Sequence, residues 1–249
     1  MSCSVVIVAK NEERNLQDCI ESCKAFADEV VVVDDYSTDS TVQVAQTCGA
    51  KVFQRSMDGN WGAQQTFAIQ SATQDWVFLI DADERCLPET AKEIAAIVRT
   101  QPNKAYRVRR LNHFRQKMVR HGSLSPDWVI RLLPRIGTSV EGFVHPKIQF
   151  ACPLSDLQGC LLHFTYQTWT QLEGKMQKYA RLAAMKYHEE GKKSHFVLDV
   201  TLRPLFSFFK MYVLKLGFLD GALGFALALN YADYTLSKYF QLHELESSD

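Results

Sequence analysis

Two acidic clusters follow apolar runs. Val31-Val32-Val33-Asp34-Asp35 and Phe78-Leu79-Ile80-Asp81-Ala82-Asp83 each end in two carboxylates, and Glu84 follows the second. If both runs are neighbouring strands of an open α/β sheet, their carboxyl ends share one rim, which is where such sheets bind ligands. Up to four carboxylates on one rim repel each other unless a cation joins them. Oxygen donors select Mg²⁺ or Mn²⁺, ions that complete their shell with substrate phosphates. Together the clusters predict a metal–diphosphate site. Either cluster alone reads as strand-end turn chemistry, where Asp is common.

The elements that must position these acids are legible in the first hundred residues. Apolar runs at Val5–Ala9, Val30–Val33 and Trp76–Ile80, with a short strand at Lys51–Gln54, alternate with helical spacing at Asn15–Phe26, Val42–Cys48, Gly62–Ala72 and Pro88–Val98. Continuous apolar strands between helices predict a parallel sheet covered on both faces. From Lys104 to Leu162 short alternating segments appear (Ala105–Leu111, Val129–Leu133, Lys147–Phe150, Gly159–Phe164), predicting mixed or antiparallel strands added at the sheet edge. Residues 168–190 read as one amphipathic helix and 203–240 as one or two more.

Composition narrows the function. The chain has 249 residues, with 47% apolar and 22% charged, which is ordinary globular usage. Lys+Arg and Asp+Glu are 28 each, so a bulk polyanion binder is not expected. The first apolar stretch is too short for a signal peptide and lacks a basic start, so a cytoplasmic location is expected. The seven cysteines include no C-x-x-C, which argues against a disulfide framework or a zinc knuckle; Cys19 and Cys23 read as helix-face thiols. After the first strand there is neither G-x-G-x-x-G nor G-x-x-x-x-G-K-[ST], so the dinucleotide and P-loop fingerprints are missing. The strand ends instead in Ala9-Lys10-Asn11-Glu12-Glu13, a polar turn that also lacks the Gly-rich loop a nucleotidyltransferase needs.

These residues carry a resemblance. Ser4 through Glu13, Val31 through Thr41, and Asp81-Ala82-Asp83 resemble family 2 glycosyltransferases with the GT-A fold, a Rossmann-like mixed sheet. Pro126-Asp127-Trp128 through Leu133, the Val144-His145 turn, Leu162-His163-Phe164-Thr165-Tyr166 and Gly217 through Gly221 resemble the bacterial subgroup that adds glucose to the lipopolysaccharide inner core. The resemblance implies inverting transfer from a nucleotide sugar, UDP-glucose by preference. It implies a catalytic domain over 1–166, with nucleotide-sugar binding in 1–100 and the acceptor side in 101–166, and a helical extension over 167–249.

The resemblance also implies roles. Ala9, Asn11, Glu12, Asp34, Asp35 and Asp81 match nucleotide-binding positions, and a carboxylate can accept from ribose hydroxyls or a base N–H. Asp83 matches the metal-ligating acid of the D-x-D, and His163 a late histidine that completes the metal shell. The ion, Mn²⁺ or Mg²⁺, would help the diphosphate leave. Asp39 reads as a cap for the next helix. An inverting transfer needs a general base for the acceptor hydroxyl. The family's usual His-Glu appears here as His145-Pro146, which removes the expected carboxylate and leaves Asp127, favoured, and Glu141. Gln65 and Thr66 stand where relatives commonly carry a basic residue and an Asn, so another basic residue must compensate or metal alone suffices. The missing acid at position 146 also keeps a catalytically weak membrane-surface scaffold in view.

Arg99 to Arg135 holds ten Lys/Arg against one acid, Asp127. That asymmetry suits an anionic glycolipid acceptor or an anionic membrane surface rather than nucleic acid. Residues 205–229 are rich in Leu and Phe, but charges at Lys210, Lys215 and Asp220 leave the longest uncharged run at twelve residues, Gly221–Ala232, below the ~20 needed to span a bilayer. This segment fits a core-packing helix, a homodimer contact, or peripheral attachment to the inner face of the cytoplasmic membrane.

Overall fold

The computed structural model describes residues 2–100, 102–142 and 146–247. Its elements in chain order are β1 (Cys3–Ala9), α1 (Leu16–Cys23), β2 (Glu29–Asp34), α2 (Thr41–Thr47), β3 (Lys51–Gln54), α3 (Trp61–Ser71), β4 (Trp76–Leu79), β5 (Glu84–Cys86) and α4 (Pro88–Thr100). There follow β6 (Ala105–Phe114), β7 (Lys117–Met118), β8 (Asp127–Pro134), β9 (Ser139–Glu141), β10 (Lys147–Gln149), β11 (Leu154–Tyr166), α5 (Trp169–Glu189), α6 (Arg203–Phe209) and α7 (Gly221–Ser247).

The main sheet runs β3-β2-β1-β4-β8-β6-β11-β5, and β7 pairs with β6; β9 and β10 form a separate hairpin. β1, β2, β3 and β4 are mutually parallel, as the continuous apolar runs predict. β8 joins β4 antiparallel, so the added strands are of the expected kind. The two acid-ended strands are not neighbours, however: β1 lies between β2 and β4. Asp34 lies opposite Ala9, and Leu79 opposite Val6, so the acids flank the end of β1 from either side.

Side-chain alternation along β1 divides the core. Val5 and Ile7 face a layer with Leu16, Cys19, Ile20 and Cys23 of α1 and Ile94 of α4. Val6 faces the opposite layer, with Ala68 and Ile69 of α3 and Val140 of β9. A period of two against helices on both sides is what makes these strands apolar throughout. Cys19 and Cys23 are buried packing residues, and burial pushes both thiols up.

The chain forms two compact units. One comprises residues 1–110 and 128–163, and the other 111–127 and 164–249. Residues 111–127, expected on the acceptor side of the catalytic domain, thus group with the C-terminal helices. In this second unit Val119, Tyr166, Leu172 and Leu227 form the core. Thr168 caps α5 by accepting from the Gln171 backbone N–H, while the Gln171 side chain reaches back, a reciprocal capping box. Gly224 is required where α7 begins: a Cβ there would stand 1.8 Å from the Gly217 carbonyl oxygen.

Candidate active site

The turn after β1 is braced by the turn after β2. Asn11 adopts a left-handed conformation, φ +57°, which Asn tolerates better than most residues. Its backbone N–H donates to Ser37 Oγ at 2.8 Å, and its Oδ1 accepts from the Thr38 N–H at 2.8 Å. The Glu12 N–H donates to Thr41 Oγ1 at 2.7 Å. Asp39 accepts from the Thr41 N–H at 3.0 Å at the start of α2, the capping role expected of it.

Asp34 and Asp35 are both buried and both engaged. Asp34 accepts from the Ser37 N–H at 3.0 Å, from the Ser37 hydroxyl, and from Gln54 Nε2 at 3.1 Å. Asp35 Oδ2 pairs with Lys10 Nζ at 2.9 Å, and its Oδ1 accepts from the Met57 N–H at 2.9 Å. Burial opposes the charge of Asp35, but the Met57 N–H and Lys10 outweigh it and hold the carboxyl below its ordinary range. These two acids organise the turn. The Ala9 carbonyl accepts from the Asp35 N–H at 2.9 Å, which ties β1 into the same structure.

The second cluster contains two arginines, Arg131 and Arg110, for which the motifs predict no role at the site. Arg131 Nη2 donates to Asp81 Oδ2 at 2.5 Å and to Glu84 Oε1 at 2.6 Å. Arg110 Nη1 lies 3.1 Å from Glu84 Oε1 and 3.7 Å from Asp81 Oδ2. Glu84 is fully buried, and its Oε2 accepts from the Asp81 N–H at 3.0 Å. Burial raises Glu84, Arg131 opposes that, and the net shift is upward. For Asp81 burial is outweighed by Arg131 and Arg110, which hold the carboxyl below its usual range. Arg131 is buried, with its Nε lacking any hydrogen-bond partner among the described residues. The available signal was a single Arg inside the apolar run Val129–Leu133: β8 pairs with β4 through Phe78–Leu132, which brings Arg131 to the end of β4.

Asp83 is placed differently. β5 follows the D-x-D directly and pairs with β11, with Glu84 opposite His163. His163 Nε2 consequently lies 3.4 Å from Asp83 Oδ2. Adjacent ligands of an octahedral Mg²⁺ are separated by about 3 Å, so one oxygen and one nitrogen at this spacing fit two positions of such an ion. Glu12 completes the negative end of the site. Burial pushes its carboxyl up, its hydrogen bond with Asn15 opposes this, and the charges of Asp83, Asp39 and Asp81 add to the rise.

The expected gathering of four carboxylates around one cation is therefore corrected. Among the described residues no group of three or more His, Cys, Asp or Glu side chains is arranged as a metal cage. Asp34 and Asp35 accept hydrogen bonds within the turns, and guanidinium groups compensate Asp81 and Glu84. Of the predicted metal pair, the structure brings Asp83 and His163 together.

Glu141 is exposed on the β9–β10 hairpin and accepts from Gln149 Nε2 at 3.2 Å. Asp127, in the second unit, accepts from Asn112 Nδ2 at 2.9 Å; Asn112 Oδ1 in turn accepts from Thr165 Oγ1 at 2.9 Å. Val144 and His145 lie outside the described residues. Thr66 stitches α3 to β9, donating to the Val140 carbonyl at 2.9 Å and accepting from its N–H at 2.8 Å. Arg55 is the basic residue beside this helix; it donates to Gln64 Oε1 at 2.7 Å and lies over the Phe67 ring. The basic stretch is less open than its sequence suggests. Arg110 and Arg131 serve Asp81 and Glu84, and Arg107 pairs with Asp156 at 2.7 Å.

A family model described as glycosyl transferase family 2 matches residues 4–152, more than half of the chain. The chain belongs to that family. The lipopolysaccharide core biosynthesis glycosyltransferase LpsC of Rhizobium meliloti (strain 1021) is 30% identical, over 98% of this transferase and 94% of LpsC. An uncharacterized glycosyltransferase of Rickettsia typhi is 30% identical, over 97% of this transferase and 87% of the relative. Among solved structures, S. aureus TarS 1-349 in complex with UDP-GlcNAc is similar with a TM-score of 0.50 at 17% identity, covering 100% of this transferase and 92% of that chain. The transferase thus has the expected GT-A fold, a mixed sheet followed by C-terminal helices.

Proposed function

We propose that this family 2 glycosyltransferase moves a hexose, glucose by preference, from a nucleotide diphosphate sugar to a lipopolysaccharide core or another glycolipid. The observation that carries the reading is the division of labour at the D-x-D. Arg131 and Arg110 neutralise Asp81, while Asp83 faces His163. The likeness to LpsC, named for lipopolysaccharide core biosynthesis, supports the acceptor class.

In this reading Ala9, Asn11, Glu12, Asp34, Asp35 and Asp81 bind the nucleotide, with the hydrogen bonds of Asp34 and Asp35 also fixing the shape of the turn. Asp83 and His163 would hold Mn²⁺ or Mg²⁺, which when bound supplies charge neutralisation for the departing diphosphate. Asp127 is the favoured base for the acceptor hydroxyl, with Glu141 the alternative; in-line attack then inverts the anomeric carbon. The acceptor is lipid-linked, so the transferase works peripherally on the inner face of the cytoplasmic membrane.

The test is turnover of UDP-glucose by the purified chain with Mn²⁺. Slow hydrolysis that stops on chelation, and in Asp83→Ala, is expected. Turnover unchanged by both treatments would overturn the metal assignment, and no turnover of any nucleotide sugar would favour a scaffold.

A further inference from the structure

The second unit leaves an extensive apolar surface uncovered. Between residues 196 and 219 the chain forms a π-helical turn (Phe196–Leu202), α6, a second π-helical turn (Lys210–Leu214) and a 3-10 turn (Gly217–Asp220). Val197, Leu198, Leu205, Phe206, Leu214 and Leu219 are all exposed, Leu205 at 65% and Phe206 at 59%. So many exposed large apolar side chains on consecutive turns of a folded protein point to an interaction surface. Among the described residues no single helix is long and apolar enough to cross a bilayer, and the stretches Phe196–Leu214 and Gly217–Ser247 are bent by 70°.

A cationic cluster adjoins this surface. Lys238 of α7 lies 4.4 Å from the ring centre of Tyr239, 5.1 Å from Tyr187 and 5.7 Å from Tyr234. Arg203 lies over Tyr239 and donates to its hydroxyl at 3.1 Å. Arg203 is also the first residue of α6, so the cluster leads directly into exposed Leu205 and Phe206. Lys192, over the Tyr187 ring at 4.0 Å, pairs with Glu190 at 2.8 Å, and Arg203 pairs with Asp199. No carboxylate among the described residues forms an ion pair with the half-buried Lys238. Its ammonium is pushed below the ordinary range by burial, with Arg203 and Lys192 adding to the effect and the charge of Asp199 opposing it.

We infer that this face docks on an anionic bilayer: the 196–219 segment enters the lipid interface, and Lys238 with Arg203 receives a lipid phosphate at headgroup level. The inference rests on the peripheral-membrane part of the reading above and is independent of the transfer chemistry. Charge selects the occupant. Lys192 and Arg203 are already matched by Glu190 and Asp199, but Lys193, Lys210 and Lys215 are exposed and form no ion pair among the described residues, so a second copy would bring the same sign of charge to this face. An anionic leaflet brings the opposite sign, and its acyl boundary accepts the Leu and Phe side chains. Tyrosine suits the same depth, with its ring in the apolar zone and its hydroxyl in the headgroups.

The experiment is flotation of the full chain with vesicles of phosphatidylcholine alone and of phosphatidylcholine with phosphatidylglycerol, at low and high salt. Binding to the anionic vesicles, weakened by salt, is expected. One cation near such a surface contributes about 1 kcal/mol, so Lys238→Gln should lower partitioning about fivefold. Leu205→Ser combined with Phe206→Ser should lower it at least as much; both side chains are exposed, and circular dichroism should show the fold unchanged. Equal binding to both vesicles, unmoved by Lys238→Gln, overturns the phosphate site and leaves peripheral attachment standing. Binding to neither overturns both, and a dimer in sedimentation that the double variant dissociates assigns the face to a second copy.

Discussion

Arg131 and Glu84 form a buried ion pair at 2.6 Å, with the same guanidinium nitrogen 2.5 Å from Asp81. Arg131 comes from the middle of β8 and Glu84 from the first residue of β5. Their meeting fixes the D-x-D between two strands that no local sequence rule connects. A buried carboxylate is tolerated only when its charge is matched and its lone pairs are filled, and Arg131, Arg110 and the Asp81 N–H do both for Glu84.

Removing Arg131 therefore leaves the buried negative charge of Glu84 and Asp81 with Arg110 alone to match it. Arg131→Met should cost about 3 kcal/mol or more in denaturant unfolding. Pairing it with Glu84→Gln should recover part of that loss, because the second change removes the stranded charge. Equal losses in the single and double variants would contradict this arrangement.

The legibility of the site follows from these pairings. The parallel core around β1, the acid-ended strands and the capping role of Asp39 are local patterns that single-residue chemistry reveals. Arg131 lies 50 positions from Asp81, and its role depends on the antiparallel register of β8 against β4, which periodicity does not specify. β5 has three residues, too few to show alternation, yet it delivers Asp83 to His163. The position of β1 between the two acid-ended strands is likewise a matter of strand order. That Ser37 and Gln54 donate to Asp34, and Lys10 and Met57 to Asp35, likewise depends on how the turns fold together.

Acid should destabilise the fold through Glu29. This carboxylate at the start of β2 is buried, which opposes its charge. Lys51 at 2.5 Å, the Ser4 hydroxyl at 2.5 Å, and Thr73 outweigh burial and lower its pKa from 4.5 to about 2. A lowered carboxylate stabilises above its unfolded pKa and loses that contribution as pH falls through the folded value. Stability should therefore drop between pH 4.5 and about 2, by roughly 2–4 kcal/mol from this group. Glu29→Gln should flatten the pH dependence in that window; an unchanged slope would assign the loss to other acids.

The proposed base can be assigned by comparing two isosteric variants. Asp127→Asn should lower kcat by roughly 10²–10⁴-fold with little change in donor KM, since a base acts on the acceptor proton. Glu141→Gln, on the exposed hairpin, should leave kcat within a few-fold. The reverse pattern would move the role to Glu141.

The most direct measurement is donor binding by titration calorimetry with UDP-glucose, in wild type and Asp83→Ala, each with and without Mn²⁺. The account predicts that Mn²⁺ tightens donor binding in wild type by at least about tenfold, and that Asp83→Ala removes this gain while retaining the fold. Identical affinities in all four titrations would contradict it, because Asp83 and His163 would then not be holding the ion that meets the diphosphate.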